Sequence, residues 1–202
     1  MELLFLATLV AFATWIAKTR DQGRRIALLG SHLGHYQIEK HLETLTQGYL
    51  RALEADDAER REQIWGLLRG TEQALASQFE RFAASFATVD EADARVSTLP
   101  VALPFAARWL PAASFDLRKA LAIHARGISR AVEDAGHDSA RSKAFTLMAE
   151  LFLMQHTCHW FCKSRTVASA RMLARHKTSY QQLIEAVGPA TRASYCELVG
   201  RS

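Results

Sequence analysis

The chain has little of what marks a disulfide-stabilised, sheet-forming or disordered protein. Its three cysteines, Cys158, Cys162 and Cys196, are odd in number and lack framework spacing, which argues against a disulfide scaffold and for reduced thiols facing a cytoplasm. Four prolines and ten glycines are few for 202 residues, and no run alternates β-branched with polar residues, so no sheet is predicted. Hydrophobic residues at 49 % argue against disorder over the whole chain.

Motifs that carry chemistry are missing as well. The sequence has no Gly-rich phosphate loop, no H-E-x-x-H zinc motif and no c-type haem-attachment motif. It also lacks the paired E-x-x-H motifs of a di-iron bundle. No Ser-His-Asp or paired-carboxylate arrangement can be argued from spacing. These absences favour a non-enzymatic function without excluding an enzyme.

Good helix formers dominate the chain, and apolar residues recur at spacings of three and four. One stripe runs through residues 26–53, and a second runs from Ile64 to Phe86, with Glu72 among the residues opposite it. Gly30 and Gly34 lie on one face of the first helix and predict a kink or a tight contact. The predicted fold is all-α: an N-terminal single transmembrane helix followed by a helical bundle of about four to six helices.

The first 17 residues form the predicted membrane anchor. Leu3 to Ala17 is apolar apart from two threonines and spans roughly 25 Å as a helix, short but workable for a hydrocarbon core of about 30 Å. A cleaved signal peptide would carry basic residues before its apolar core, whereas Lys18, Arg20, Arg24 and Arg25 follow it here. A core helix would not be apolar on every face at a chain terminus. The positive-inside rule then predicts an outside N-terminus and a cytoplasmic body.

Behind the anchor we predict a basic juxtamembrane linker at 18–25 and a cytoplasmic bundle domain at 26–202. The formal charge of +4 becomes +5 without the anchor, which fits a body near anionic lipid. The basic stretch 163–177 lacks interleaved aromatic residues, so we do not expect binding to nucleic acid.

An irregular loop holds three of the four prolines and interrupts the bundle at residues 95–113. Proline removes a backbone donor and disfavours helix in the residue before it. Two alternatives stay open for its apolar residues: they fold over the bundle core, or they form an exposed surface that docks a partner or touches the membrane. The candidate partner-binding residues are Pro100, Leu103, Pro104, Phe105 and Trp109.

The longest predicted helix covers residues 139–176, with Gly136 ending the helix before it and Asp138 capping it. Residues 144–162 are apolar nearly all round, which is typical of a central helix; Glu150 and the polar residues after it argue against a second span. Glu150 either pairs with a base, faces outward, or is an acid with a raised pKa. Two short helices, 178–187 and 189–199, follow.

A histidine–cysteine cluster lies at 156–162 within that helix. His156 and His159 share a helix face, His159 is adjacent to Cys162, and His124 lies on an apolar stripe of another helix. Imidazole and thiolate are good ligands for transition metals, so these four residues are candidate ligands for a metal or haem. The alternative is that the histidines are hydrogen-bonded core residues and the cysteines act as small hydrophobic residues, and then no cofactor is bound.

These features predict a membrane-anchored, non-enzymatic interaction or scaffold module that faces the cytoplasm. Its expected partners are the lipid bilayer, through residues 1–17, and another protein. The candidate contact surfaces are the loop at 99–111 and the early helix at 30–49. A metal- or haem-binding helical protein is the alternative, and a membrane-tethered nucleic-acid-binding protein is a weaker one.

Overall fold

The computed structural model describes residues 1–133 and 139–200 and is all-α, as predicted. Gly136 and Asp138, predicted to end one helix and cap the next, lie outside the described residues. In chain order the elements are α1 (Glu2–Leu33), α2 (Ile38–Glu54), α3 (Ala58–Phe86), α4 (Glu91–Ala94), β1 (Arg95–Ser97), α5 (Ala106–Trp109), a 3-10 turn (Pro111–Ala113), β2 (Ser114–Asp116), α6 (Leu117–Glu133), α7 (Ala140–Cys162), α8 (Arg165–His176), α9 (Tyr180–Ala186) and α10 (Pro189–Leu198).

Helix α1 extends the predicted anchor without a break. Residues 1–15 are exposed, and α1 is the one helix in the described part of the chain that is long and apolar enough to cross a membrane. The segment 18–25, predicted as a linker, is helical. It contains no proline, the helix tolerates Gly23, and Asp21 and Arg25 form an i,i+4 ion pair at 3.3 Å that favours the helix. The helix then continues to Leu33.

The second half of α1 is attached to the rest of the protein. Arg24 forms an ion pair of 2.8 Å with Asp93, and Lys163 Nζ donates to Gln22 Oε1 at 2.9 Å. Leu29 is buried against the bundle. Helix α1 is therefore both the candidate anchor and a helix of the bundle.

A turn at residues 34–37 separates α1 from α2, where the sequence predicted a kink or a tight contact. The amide of Gly34 donates to the Gly30 carbonyl at 2.9 Å and ends α1. The amide of Gln37 donates to Gln78 Oε1 at 2.7 Å, which fixes the turn against α3. The stripe over residues 26–53 thus belongs to two helices.

The hydrophobic core lies between α2, α3, α6 and α7, which pack in that order. Phe79, Phe82 and Phe86 on α3 are fully buried, and Phe86 meets Phe161 of α7 edge to face at a ring-centroid distance of 6.1 Å. Burying each such side chain contributes about 1.5–3 kcal/mol. Further fully buried side chains are Leu45, Leu75, Leu117, Leu121, Ile128, Leu147 and Leu151.

A buried ion pair lies at one end of this core. Glu72 was expected on the solvent face of α3, but its side chain is 6 % exposed and its Oε2 atom lies 2.9 Å from Lys143 Nζ. Tyr49 Oη donates to Glu72 Oε1 at 2.5 Å. The periodic pattern missed this position because partners on α2 and α7 cover a residue at the edge of the apolar stripe.

The base of the irregular loop is a small antiparallel ribbon, where the sequence predicted no sheet. Strands β1 and β2 pair Arg95 with Asp116, Val96 with Phe115 and Ser97 with Ser114. Three residues per strand are too few for the alternation that marks a strand in sequence. Within the loop, residues 106–109 form the single helical turn α5.

The predicted helix over 139–176 is two helices. Helix α7 ends at Cys162, and the Ser164 side chain accepts a hydrogen bond from the Val167 amide at 3.3 Å, capping α8. The pattern did not show this break because serine also occurs inside helices. The two short C-terminal helices are present as predicted, separated at Gly188.

Candidate functional site

A groove of about 660 Å³ lies between the second half of α1, the start of α2, and helices α7 and α8. We call it the α1–α7 groove. Its volume is in the range of sites that bind small molecules or peptide side chains. Its apolar lining is Ile26, Leu29, Leu33, Ile38, Leu42, Phe82 and Met154, and its charged lining is Glu39, Lys40, Glu43, Lys163, Arg171 and Arg175.

The charges of the α1–α7 groove are distributed unevenly. The α7–α8 side contributes Lys163, Arg171 and Arg175, whereas both acidic residues, Glu39 and Glu43, come from α2. Arg171 and Arg175 are exposed, so they are accessible to a partner. A ligand with an apolar face and an acidic edge is complementary to this arrangement.

Three side chains of the predicted histidine–cysteine cluster line the groove: Cys158, His159 and Cys162. Burial raises the pKa of the Cys162 thiol to about 11 and raises the pKa of Cys158 further. Burial, and then the charges of Arg171 and Arg175, lower the pKa of His159. At neutral pH the thiols are therefore protonated and poorly nucleophilic, which favours binding over covalent chemistry.

The other two candidate ligands face away from the groove. His156 Nε2 is 3.0 Å from Ser169 Oγ, and the ring stacks on Tyr180 at a centroid distance of 4.2 Å. His124 Nε2 is 2.9 Å from Thr157 Oγ1. Within residues 1–133 and 139–200, no group of three or more His, Cys, Asp or Glu side chains is placed to hold a metal ion. The predicted metal or haem site stays a prediction, with His159 and Cys162 as its accessible pair.

His124 belongs to an enclosed polar network between α6, α7 and α10. The Thr157 hydroxyl lies 3.0 Å from Tyr195 Oη, and His124, Thr157 and Tyr195 are all 0 % exposed. Burial lowers the pKa of His124 to about 3, and also that of His156 to about 3. Both rings are therefore neutral in the folded protein, and their hydrogen bonds join helices rather than meet solvent.

Glu150 lies in the same buried region and is 1 % exposed. Its Oε1 atom accepts a hydrogen bond from the Gly188 amide at 3.1 Å. Gly127 leaves room for the carboxyl, since a Cβ there would lie 2.4 Å from Glu150 Oε2 and 2.5 Å from Thr191 Oγ1. Burial raises the pKa of Glu150 to about 7, against smaller opposite effects of Thr191, Gly188 and Arg130. This carboxyl joins α7 to the turn between α9 and α10.

The loop between the two strands, residues 98–113, presents its large apolar side chains to solvent; we call it the apolar loop. Among the five predicted partner-binding residues, Trp109, Leu103, Phe105 and Pro100 are exposed and Pro104 is half-buried. The other alternative was that the loop folds over the bundle core. Two small side chains of the loop, Ala106 and Ala107, are buried in this way.

The sequence identified only part of the α1–α7 groove. The predicted contact region 30–49 supplies the α2 side of the α1–α7 groove. On the opposite side, His159 and Cys162 were predicted only as metal ligands, and Arg171 and Arg175 were not predicted to contact a partner. The signal in the sequence that could have indicated this side was the i,i+4 pair Arg171 and Arg175, which follows the apolar run that contains Cys158 and Cys162.

Comparison of the chain with protein-family models, curated proteins and solved structures finds no match.

Proposed function

We propose that this protein is a membrane-anchored, non-enzymatic interaction module that holds a partner protein at the cytoplasmic face of a membrane. One observation carries the proposal: a single unbroken helix supplies both the exposed apolar segment and a wall of the α1–α7 groove. A partner bound in the groove would therefore be held next to the bilayer, because α1 has no flexible spacer between anchor and groove.

The groove is best matched by an amphipathic segment of the partner. Its apolar lining suits the hydrophobic face of a helix, and the cations from α7 and α8 suit acidic residues along one edge of that helix. The neutral thiols and the neutral His159 add polarizable surface without a charge to be desolvated. A binding role is consistent with the absence of a recognisable catalytic motif in the sequence.

We expect the body and the C-terminus to lie in the cytoplasm. Lys18, Arg20, Arg24 and Arg25 follow the apolar segment, and such clusters stay on the cytoplasmic side. A C-terminal fluorescent protein that folds only in the cytoplasm should be bright. A C-terminal phosphatase that is active only outside should be silent. The reverse pattern would contradict this orientation.

Co-purification from gently solubilised membranes tests the partner. We expect the full-length, C-terminally tagged protein to recover a partner chain in fixed ratio. Ile26 is 45 % exposed in the groove, so Ile26→Glu places a charge on the apolar lining. The double variant R171E/R175E reverses the complementary charge. Each should reduce recovery about tenfold or more, because central interface residues contribute about 2 kcal/mol or more.

Matched controls separate loss of the partner from loss of the fold. Leu67 is 80 % exposed on α3, so Leu67→Glu makes a comparable surface change outside the groove. K119E/R126E changes the net charge equally on exposed residues of α6. Both controls should recover the partner as the original protein does. A solitary chain, or a partner equally insensitive to the groove variants and the controls, would overturn the proposal.

A second candidate function, metal or haem binding, is favoured by two neighbouring ligands in the groove. His159 and Cys162 both line it, and His159 Nδ1 has no hydrogen-bond partner among the described residues. Stoichiometric transition metal or haem absorbance in the purified protein should then disappear in H159A/C162A. The control H35A/C196A should keep it, and full occupancy in H159A/C162A would exclude this site.

A further inference from the structure

The apolar loop exposes five large hydrophobic side chains between residues 101 and 110. Trp109 is 74 % exposed, Val101 57 %, Leu103 51 % and Leu110 49 %. Phe105 lies beside Trp109, with ring centroids 6.4 Å apart. Contiguous exposed apolar patches of this kind mark contact with a protein or a membrane.

The structure holds these side chains outward. Ala106 and Ala107 are buried and attach the loop to the body, and Thr166 Oγ1 donates to the Pro100 carbonyl at 2.6 Å. The backbone of Phe105 has φ 57°, in the left-handed region that non-glycine residues seldom adopt. The loop is fixed at both ends and in its middle, so its apolar tip is a defined surface.

The position of the loop along α1 indicates what covers this surface. Loop residues 99 and 101–104 line a small cavity together with Lys18, Asp21, Gln22 and Arg25 of α1. Gln22 is five residues beyond Ala17, which is about 7.5 Å along the helix. The polar interfacial layer of a bilayer is itself about 5–8 Å deep on each side. Loop residues 99 and 101–104 therefore lie at the level of the lipid headgroups when residues 2–17 lie in the bilayer, and Trp109 follows them in the same short loop.

We infer that the apolar loop is a second membrane contact, which enters the headgroup layer beside α1. The inference rests on the proposed anchoring. Tryptophan and other aromatic side chains prefer this layer, and Lys18 and Arg20, exposed at the same level, attract anionic lipid. The occupant of the patch is the bilayer, and the body is held to the membrane at two points.

Quenching of tryptophan by brominated lipid tests the inference on the full chain. The protein is reconstituted into nanodiscs of phosphatidylcholine with a minority of phosphatidylglycerol, with or without bromine on the upper acyl chain. Comparing the original protein with Trp109→Phe isolates the Trp109 signal, because Trp15 and the buried Trp65 and Trp160 contribute equally to both. Comparing the original protein with Trp15→Phe isolates the signal of Trp15, which lies in the proposed anchor. We expect both isolated signals to be quenched.

The two signals distinguish failure of the loop contact from failure of the anchor. A quenched Trp15 with an unquenched Trp109 would overturn the loop contact while leaving the anchored interaction module intact, and would return the loop to the predicted role of binding a protein. An unquenched Trp15 would overturn both. Unchanged circular dichroism of each variant shows that the fold is retained.

Two double variants test the same contact by adding negative charge, one on the loop and one as a control elsewhere on the surface. Leu103→Asp with Leu110→Asp places two carboxylates in the headgroup layer, so the Trp109 signal should lose its quenching and shift to longer wavelength. Leu50→Asp with Leu67→Asp changes two exposed leucines of α2 and α3 and should leave Trp109 quenched. Equal quenching of Trp109 in both double variants would contradict the membrane contact.

Discussion

Replacing Lys143 by methionine is expected to lower the free energy of unfolding by about 3–5 kcal/mol, the range measured when one partner of a buried ion pair is removed. The methionine keeps the aliphatic volume of the side chain but leaves Glu72 charged in the core. Tyr49 remains as a hydrogen-bond donor to that carboxylate, which is not sufficient to replace the lost cation. Urea unfolding of the full-length protein in non-ionic detergent, followed by circular dichroism, measures the change.

The double variant K143M/E72Q distinguishes the stranded charge from lost packing. Its glutamine can still accept a hydrogen bond from Tyr49, and no charge is buried, so most of the lost stability should return, as when buried ion pairs are replaced by neutral groups. Lys119→Met, at an exposed position of α6, should change stability little. If K143M/E72Q is no more stable than Lys143→Met, the loss comes from packing and the ion-pair explanation is wrong.

The second large effect is a dependence of stability on pH that has two opposing contributions. His124 and His156 have pKa values of about 3 in the folded protein against 6.5 as the reference. The unfolded chain therefore binds more protons below pH 6.5, and stability is lost as the pH falls. Glu150 has a pKa of about 7 against 4.5. The folded state holds its proton longer, so this group reduces stability as the pH rises from 4.5 to 7.

Variants separate the two contributions between pH 4.5 and 6.5, where each group changes the slope of stability against pH by about 1.4 kcal/mol per pH unit. His156→Gln keeps a polar head that can reach Ser169 and should lower the slope by that amount. Glu150→Gln should raise the slope by the same amount and should stabilise the protein at pH 8 by about 3 kcal/mol. Urea unfolding at several pH values in detergent gives the slopes.

Only differences between variants are compared, because exposed carboxylates contribute the same background to all of them. Unchanged slopes in both variants would mean that these groups titrate alike in the folded and unfolded chains. A lower slope in Glu150→Gln would reverse the sign argued here.

The helical architecture could be predicted because its signals are local. The stripe that ends in Phe79, Phe82 and Phe86 fixes α3, and Gly188 before a proline separates the last two helices. Two breaks between successive helices were not predicted: the serine that caps α8 also occurs inside helices, and the turn after Leu33 depends on a contact with α3. Glu72 was placed on the wrong face for the same reason, because its partners lie on α2 and α7.

The candidate site was less predictable than the fold. The α1–α7 groove is lined by five helices, α1, α2, α3, α7 and α8, whose relative placement no single sequence pattern encodes. The histidine–cysteine cluster was visible as a pattern, but the direction of each side chain depends on packing: His156 faces Ser169, whereas His159 faces the groove. The exposure of Trp109 likewise follows from how Ala106 and Ala107 attach the loop, not from its composition.

Because α1 is unbroken, the proposed anchor would act as a lever on the rest of the helix. The sixteen residues from Lys18 to Leu33 extend about 24 Å beyond the apolar segment, so a change of about 10° in the tilt of that segment would displace the far end by about 4 Å. A span this short tilts least in a thick bilayer and more in a thin one. In the proposed membrane-anchored arrangement, the height and inclination of the groove above the lipid surface would follow membrane thickness, and the position of a bound partner would change with the thickness of the bilayer.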